Sequence, residues 1–270
     1  MSVLPVARRF VAAASVAFVA SSPARADFII DLTSRGSTGS SQGAQFYQAD
    51  PQPTGTGVFN PFVRIQQTGT ERGYNTDARP VEFNTKDQNQ WTHSLALSNL
   101  TTNVINGISY YKFTLDINEI GNQSGKYLSM DDFRIYLGNS PTLTGWNDGF
   151  GANSVKVYDI DAAGNTTVSM DYKLNHGSGS GDMEVYVPVS KFAGVGSQFQ
   201  YVYLYSSFGN PYTSDAGFEE WSAMTKTGYT PPPVNGVPAP AGLILGLIGM
   251  FGCAFGRTFS RRDDVPTATA

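Results

Sequence analysis

Two adjacent carboxylates stand among aromatic residues in "GFEEW" (Gly217 to Trp221), an arrangement that invites sugar chemistry. Retaining glycosidases hold two carboxylates about 5–5.5 Å apart and inverting ones about 6.5–9.5 Å. Neighbouring residues on a strand point to opposite faces, so Glu219 and Glu220 do not make that pair with each other. A partner would have to come across the fold from Asp132, Glu119 or Glu184. "DIDAAGN" (Asp159 to Asn165) puts Asp159, Asp161 and Gly164 at positions 1, 3 and 6 of a calcium loop, yet position 5 is Ala163 and position 12 is Met170. With strand-like segments on both sides it reads as a hairpin turn. No loop supplies a full ligand set, so no metal or cofactor is expected and the domain is expected to fold without one.

Nucleophilic chemistry has little support. The chain has two histidines and one cysteine. His93 in "WTHSLAL" is in phase with Trp91, Leu95 and Leu97 and reads as a hydrogen-bonded residue at the core edge. His176 sits in a glycine-serine turn. "GSGSG" misses the Gly-x-Ser-x-Gly elbow because its third position is Gly179. Cys253 lies in the apolar run near the C-terminus, which leaves the middle of the chain without a thiol nucleophile or a disulfide. No catalytic residue is assigned. Tyr110, Tyr136, Tyr158 and Tyr186 fall opposite the expected core face, where tyrosine rings could stack on sugars.

The elements that would position these residues are strands. "SYYKFTLDIN" alternates Tyr111, Phe113, Leu115 and Ile117 with polar residues, the period-two pattern of a half-buried strand. "DDFRIYLG" repeats it with Phe133, Ile135 and Leu137. Val155/Val157, Val168/Met170/Tyr172 and Met183/Val185/Val187 do the same in the next three segments. "FQYVYLYSS" is apolar on both faces, as a central strand is. Turn clusters such as Ala163-Gly164-Asn165 separate the segments, while "TSRGSTGSSQG" (Thr33 to Gly43) reads as a low-complexity mobile loop. Only 15% of residues are charged, and helix-compatible windows are rare between Asp27 and Tyr229. The expected fold is all-β, an antiparallel β-sandwich of jelly-roll-like type over 27–228. The formal net charge is −4, and the six arginines of the two ends leave the middle more acidic still. Such a surface repels phosphate backbones, so nucleic acid is not expected as a partner.

The ends carry addresses. Arg8 and Arg9 precede the apolar run Phe10 to Ala20, and Ala24-Arg25-Ala26 forms a small-residue cleavage site, so 1–26 reads as a Sec signal peptide with Asp27 as the mature N-terminus. Pro231 to Pro233 stiffen a linker over 229–236. Val237 to Gly256 then carries no charge and is long enough to cross roughly 30 Å of hydrocarbon. Gly242, Gly246 and Gly249 recur at about one helical turn. Arg257, Arg261 and Arg262 follow, which places this end in the cytoplasm.

The tripartite tail resembles a PEP-CTERM sorting signal: the proline motif Val237-Pro238-Ala239-Pro240, a transmembrane helix, then Arg257, Arg261 and Arg262. Ala239 stands where the family motif has glutamate, and a tail of 263–270 follows the last arginine. The resemblance covers 237–262 and implies handling by an exosortase, a membrane-bound sorting enzyme of bacteria that make extracellular polysaccharide. A plain single-pass anchor is the alternative for the tail. The expectation is an exported, non-enzymatic protein of the cell envelope or extracellular matrix, with polysaccharide as a candidate ligand. The runner-up is a secreted polysaccharide-active enzyme, a glycoside hydrolase or lyase, on the same fold. If the tail is a sorting signal, a tag placed before Pro231 should report a shorter product in cells that have the sorting protease than in cells that lack it. Full mass through Ala270 in both strains would reduce the segment to an anchor.

Overall fold

The computed structural model describes residues 27–49, 59–120, 125–175, 177–215 and 217–226. The expected signal peptide with Ala24 and Ala26, His176, the linker and the whole sorting signal from Val237 to Arg262 lie outside the described residues. No helix among the described residues is long and apolar enough to cross a membrane.

The chain opens with β1 (Phe28–Leu32), followed by β2 (Thr38–Ser41) and β3 (Ala44–Gln48). Then come β4 (Pro61–Ile65), β5 (Thr68–Gly69) and β6 (Glu71–Tyr74). After an irregular stretch follow β7 (Leu95–Ala96), β8 (Thr102–Ile105), β9 (Ile108–Asp116) and β10 (Tyr127–Gly138). The last third holds β11 (Ser154–Asp159), β12 (Thr166–Asp171), β13 (Met183–Pro188), β14 (Tyr201–Phe208), β15 (Ser214–Asp215) and β16 (Glu219–Ala223). One sheet runs β1-β12-β10-β14-β6, with β11 also on β10 and β7 on β14. The other runs β2-β3-β13-β9-β16-β4, with β8 on β9, and β5 and β15 make a small ribbon. Pairing is antiparallel except for the parallel β1–β12 contact.

The period-two segments deliver their apolar sets to one core shared by both sheets. Phe113, Leu115 and Ile117 from β9 and its extension meet Phe133, Ile135 and Leu137 from β10, all buried. Trp221 of β16 stacks on Phe133 with centroids 5.0 Å apart and planes 27° from parallel. Its indole N–H donates to Ser206 Oγ of β14 at 3.0 Å, so the polar edge of the ring is satisfied in the interior. β14 is two-faced as expected. Val202 and Leu204 enter the shared core, while Tyr203 and Tyr205 join Tyr74, Tyr136 and Phe150 in a second cluster.

Four local expectations are corrected. Tyr110, Tyr136, Tyr158 and Tyr186 are all buried rather than presented to solvent. Tyr136 is covered by Trp146 and Phe150 of the following loop. Tyr110 and Tyr47 pack edge-on against Tyr186. Tyr158 turns inward because the β10–β11 register shifts between Ile135 and Tyr136, and the same shift leaves Val155 exposed. Thr33 to Gly43 is not a loose loop. Gln42 and Gly43 both adopt positive φ, the geometry of a tight two-residue hairpin turn, and this aligns β2 with β3.

The fourth correction matters most for function. Asp159 to Asn165 is no hairpin, because β11 and β12 do not pair with each other. Both run antiparallel to β10, β11 beside Arg134–Gly138 and β12 beside Tyr127–Met130. The chain travels in one direction along β10 and makes an excursion at 160–165. Ile160 N–H still donates to Phe133 O at 3.0 Å at the start of that excursion. Replacing Trp221 by alanine removes the ring that joins the sheets, and the expected cost is about 3–5 kcal/mol, measured by denaturant unfolding.

Candidate functional site

Three places gather chemistry-bearing side chains. The first is a charged nest created by the 160–165 excursion. It brings Asp159 and Asp161 beside Asp132, with one carboxylate oxygen from each within 4.8 Å of the others. Arg134 reaches Asp132 and Asp148, each at 2.6 Å, and Lys156 reaches Asp159 at 2.9 Å and Asp148 at 3.2 Å. Arg134 and Lys156 therefore offset part of the charge of Asp132, Asp148, Asp159 and Asp161, and the group serves as an ion-pair network that staples β10, β11 and the loop before β11. The calcium-loop residues Asp159 and Asp161 instead hold backbone: Asp161 N–H donates to Asp159 and Thr166 N–H to Asp161.

The second is a buried carboxyl knot. Within "GFEEW" the two glutamates point to opposite faces, as strand geometry requires. Glu220 pairs with Arg64 at 2.5 Å, and the Arg64 guanidinium lies over Trp91 and Phe218. Glu219 faces inward with Trp221, fully buried. Of the partners open to it from the sequence, the fold selects Glu119. Asp132 is in the charged nest, and Glu184 is paired with Lys112 at 2.5 Å. Glu71, at the start of β6, closes the group; nothing in its local sequence marks it. The Glu219 carboxyl lies within hydrogen-bonding reach of both Glu71 and Glu119. Burial raises the pKa of Glu71 and of Glu119, the latter to about 8, and pushes Glu219 well above the usual carboxylate range. This is converging carboxyl chemistry, but it is sealed from any sugar.

The third is an open groove of about 480 Å³ beside the edge strand β1. β1, β12 and β10 lie side by side here, and their outward positions alternate by two. Asp31 stands opposite Ser169, Ile29 opposite Thr167, and Tyr127 at the near end of β10. The turn after β14 supplies Pro211 and Tyr212. Tyr212 N–H donates to Ser129 Oγ at 3.0 Å and Ser129 N–H to Tyr212 O at 3.1 Å, which pins that turn to β10. The Tyr127 and Tyr212 rings stand 5.3 Å apart at 37°. Phe28 and Tyr212 are 49% and 42% exposed, so aromatic surface faces solvent beside a strip of hydroxyls. Two hydrogen bonds from Thr33 hold the Asp31 carboxyl below its ordinary pKa, which keeps it charged at the groove floor.

His93 is buried, with Nδ1 2.9 Å from Ser94 O, the core-edge placement expected of it. The glycine-serine turn wraps a carboxylate instead of forming a nucleophile elbow: Gly179 N–H donates to buried Asp116 at 2.7 Å. No family model, no curated protein and no solved structure matches the chain, so function rests on its own geometry.

One pH response follows from the β10 bulge between Met130 and Asp132. The bulged Asp131 accepts Asn210 N–H, yet burial and the charges of Asp132 and Asp161 raise its pKa from 3.8 to about 7. The folded protein keeps a proton there that the unfolded chain sheds near 3.8. This contribution to stability is full below that pH and is lost as pH rises through about 7. Asp131→Asn should flatten that part of the profile, read as denaturation midpoints across the range.

Proposed function

We propose that the protein is an exported, non-enzymatic β-sandwich of jelly-roll-like type that binds extracellular polysaccharide in the β1 groove. The observation that carries this reading is the solvent-facing Tyr127–Tyr212 pair beside the hydroxyls of Thr167 and Ser169 and the charged Asp31. A sugar ring offers apolar C–H faces to aromatic rings and hydroxyls to polar neighbours, and this groove supplies both kinds of partner. The sandwich reading is supported by a chain that repeatedly changes sheet, from β9 to β10, from β12 to β13 and on to β14 and β16.

Catalysis finds less support among the described residues. The carboxyls that converge, Glu71, Glu119 and Glu219, are buried. The open ones of the charged nest are held by Arg134 and Lys156. Export through the Sec machinery fits a fold whose β1 starts at Phe28, because removing 1–26 takes no described strand with it. The tail then tethers the protein to the membrane until an exosortase-type enzyme reads Val237-Pro238-Ala239-Pro240 together with the arginines. Retention at the envelope or release into the matrix follows from that step.

The test is glycan-array binding and reducing-sugar release by the full-length protein. Binding without release is expected, with affinity lowered about tenfold by Tyr212→Ala. Binding indifferent to Tyr212→Ala overturns the groove. Turnover abolished by a carboxylate-to-amide change overturns the non-enzymatic reading.

A further inference from the structure

One hairpin outruns the sheet that supports it. β8 and β9 are joined by Asn106 and Gly107, both at positive φ, the two-residue turn that matches the twist of paired strands. β13 accompanies β9 only as far as Tyr110, which it meets at Pro188, and proline has no N–H with which to continue the ladder. On the other side β16 ends at Ala223, opposite Phe113. The last two pairs of the hairpin, Val104–Ser109 and Ile105–Ile108, therefore project past both neighbours. Val104 shares the face of Tyr111, which packs on the core, while Ile105 and Ile108 take the other face, so the tip is apolar on both sides. Val104 and Ile108 are 61% and 52% exposed.

The surroundings of the tip are uncharged or basic. The Tyr111 ring stands edge-on to Phe192 at 5.0 Å, which sets the short turn Val189–Phe192 beside the hairpin. Leu97 N–H donates to Gln200 O at 2.8 Å. Thr101 N–H donates to Met224 O at 3.0 Å and Lys226 N–H to Asn99 O at 2.9 Å. Across 97–111, 189–200 and 222–226 the only charged residues are Lys191 and Lys226, both exposed. Edge strands ordinarily carry charge that keeps other chains away, and β8 carries none. In a chain of net charge −4, this end is built for an apolar or anionic neighbour. The domain also hands on its chain here: Lys226 is the last described residue, and 227–236 precede the uncharged run from Val237. Fully extended, that linker spans at most roughly 35 Å.

We propose that the β8–β9 hairpin is a second, shallow membrane contact, its tip sunk into an anionic lipid surface. The proposal rests on the reading of Val237 to Gly256 as a membrane-crossing tail, which keeps the hairpin within a linker's length of the bilayer. The unpaired edge of β8 bars the hairpin from the hydrocarbon core, where free N–H and C=O groups go unsatisfied. Its depth is that of the boundary between headgroups and acyl chains, where amphipathic segments lie. Val104, Ile105 and Ile108 supply the apolar area, and Lys191 and Lys226 the attraction to anionic headgroups. Two points of attachment hold the domain in one orientation on the bilayer, which a tether alone does not.

The experiment uses the full-length protein carrying Cys253→Ser, reconstituted into vesicles of phosphatidylcholine and phosphatidylglycerol in equal parts. A nitrobenzoxadiazole probe sits on Ser109→Cys or, past the far end of β9, on Ile120→Cys, both at exposed positions. Lipids spin-labelled near the headgroup should cut the emission of the 109 probe to about half and leave the 120 probe unchanged. Val104→Asp with Ile108→Asp should reduce that quenching several-fold, and so should vesicles of phosphatidylcholine alone. Protein that floats with the vesicles but shows no quenching at 109, or full quenching after the double substitution, overturns the hairpin contact and leaves the tail reading standing. Equal quenching in phosphatidylcholine overturns the assignment to an anionic surface. A 109 probe shielded from water yet beyond reach of the spin label marks pairing of β8 edges between two copies, which also overturns the proposal. Protein that does not float with vesicles overturns the tail reading and the contact together.

Discussion

The face-to-face contact of Trp221 with Phe133 sets the phase of everything between the sheets. One ring belongs to β16 and the other to β10, so their contact decides which residues of each strand point inward. Counting by twos from Phe133 gives Ile135 and Leu137; counting back from Trp221 gives Glu219. The same alternation that buries leucine therefore buries a carboxyl group, and the surrounding backbone answers by offering N–H groups to its neighbours Glu71 and Glu119. A one-residue slip of β16 would expose Trp221 and bring Glu220 inward, away from Arg64, so register is strongly held.

The outer face of the β10–β14 sheet obeys a second constraint. A strand apolar on both sides needs cover on both sides, and the loop between β10 and β11 supplies it. Trp146 lies 4.4 Å from the Tyr205 ring at 11°, nearly parallel. Glu82 ties that loop down by accepting Gly145 N–H, Trp146 N–H and the Tyr74 hydroxyl. One carboxylate thus fixes the lid of a whole aromatic layer, and Tyr136, which looked available for ligand, is committed to packing within it.

Much of the fold was legible in the chain because period two is a local signal. β9, β10, β12, β13 and β14 bury the apolar residues that alternation picks out. What alternation does not carry is cover and pairing. Nothing near Tyr136 announces that Trp146 will fold over it, and nothing near Asp159 says that β11 and β12 share β10 instead of each other. Bulges escape as well, since a single extra residue at Val157 reverses the facing of Tyr158. The carboxyl knot was half legible. Glu119 was among the partners open to Glu219, whereas Glu71 joins only because β6 and β16 meet at one end of the core. Tyr127 and Tyr212 are adjacent through a turn that has no periodic pattern to read.

The excursion at 160–165 has a consequence for how such a surface varies. Because β11 and β12 are each held to β10, the segment between them bears no responsibility for register. Its two ends are already fixed in space, so residues can be gained or lost there as they are in a surface loop, while the strands on either side keep their partners. Asp161, the carboxylate it places beside Asp132, thus sits on the most freely redrawn part of that face. A chain built this way can change the charge and contour of one patch without reopening the question of how it folds.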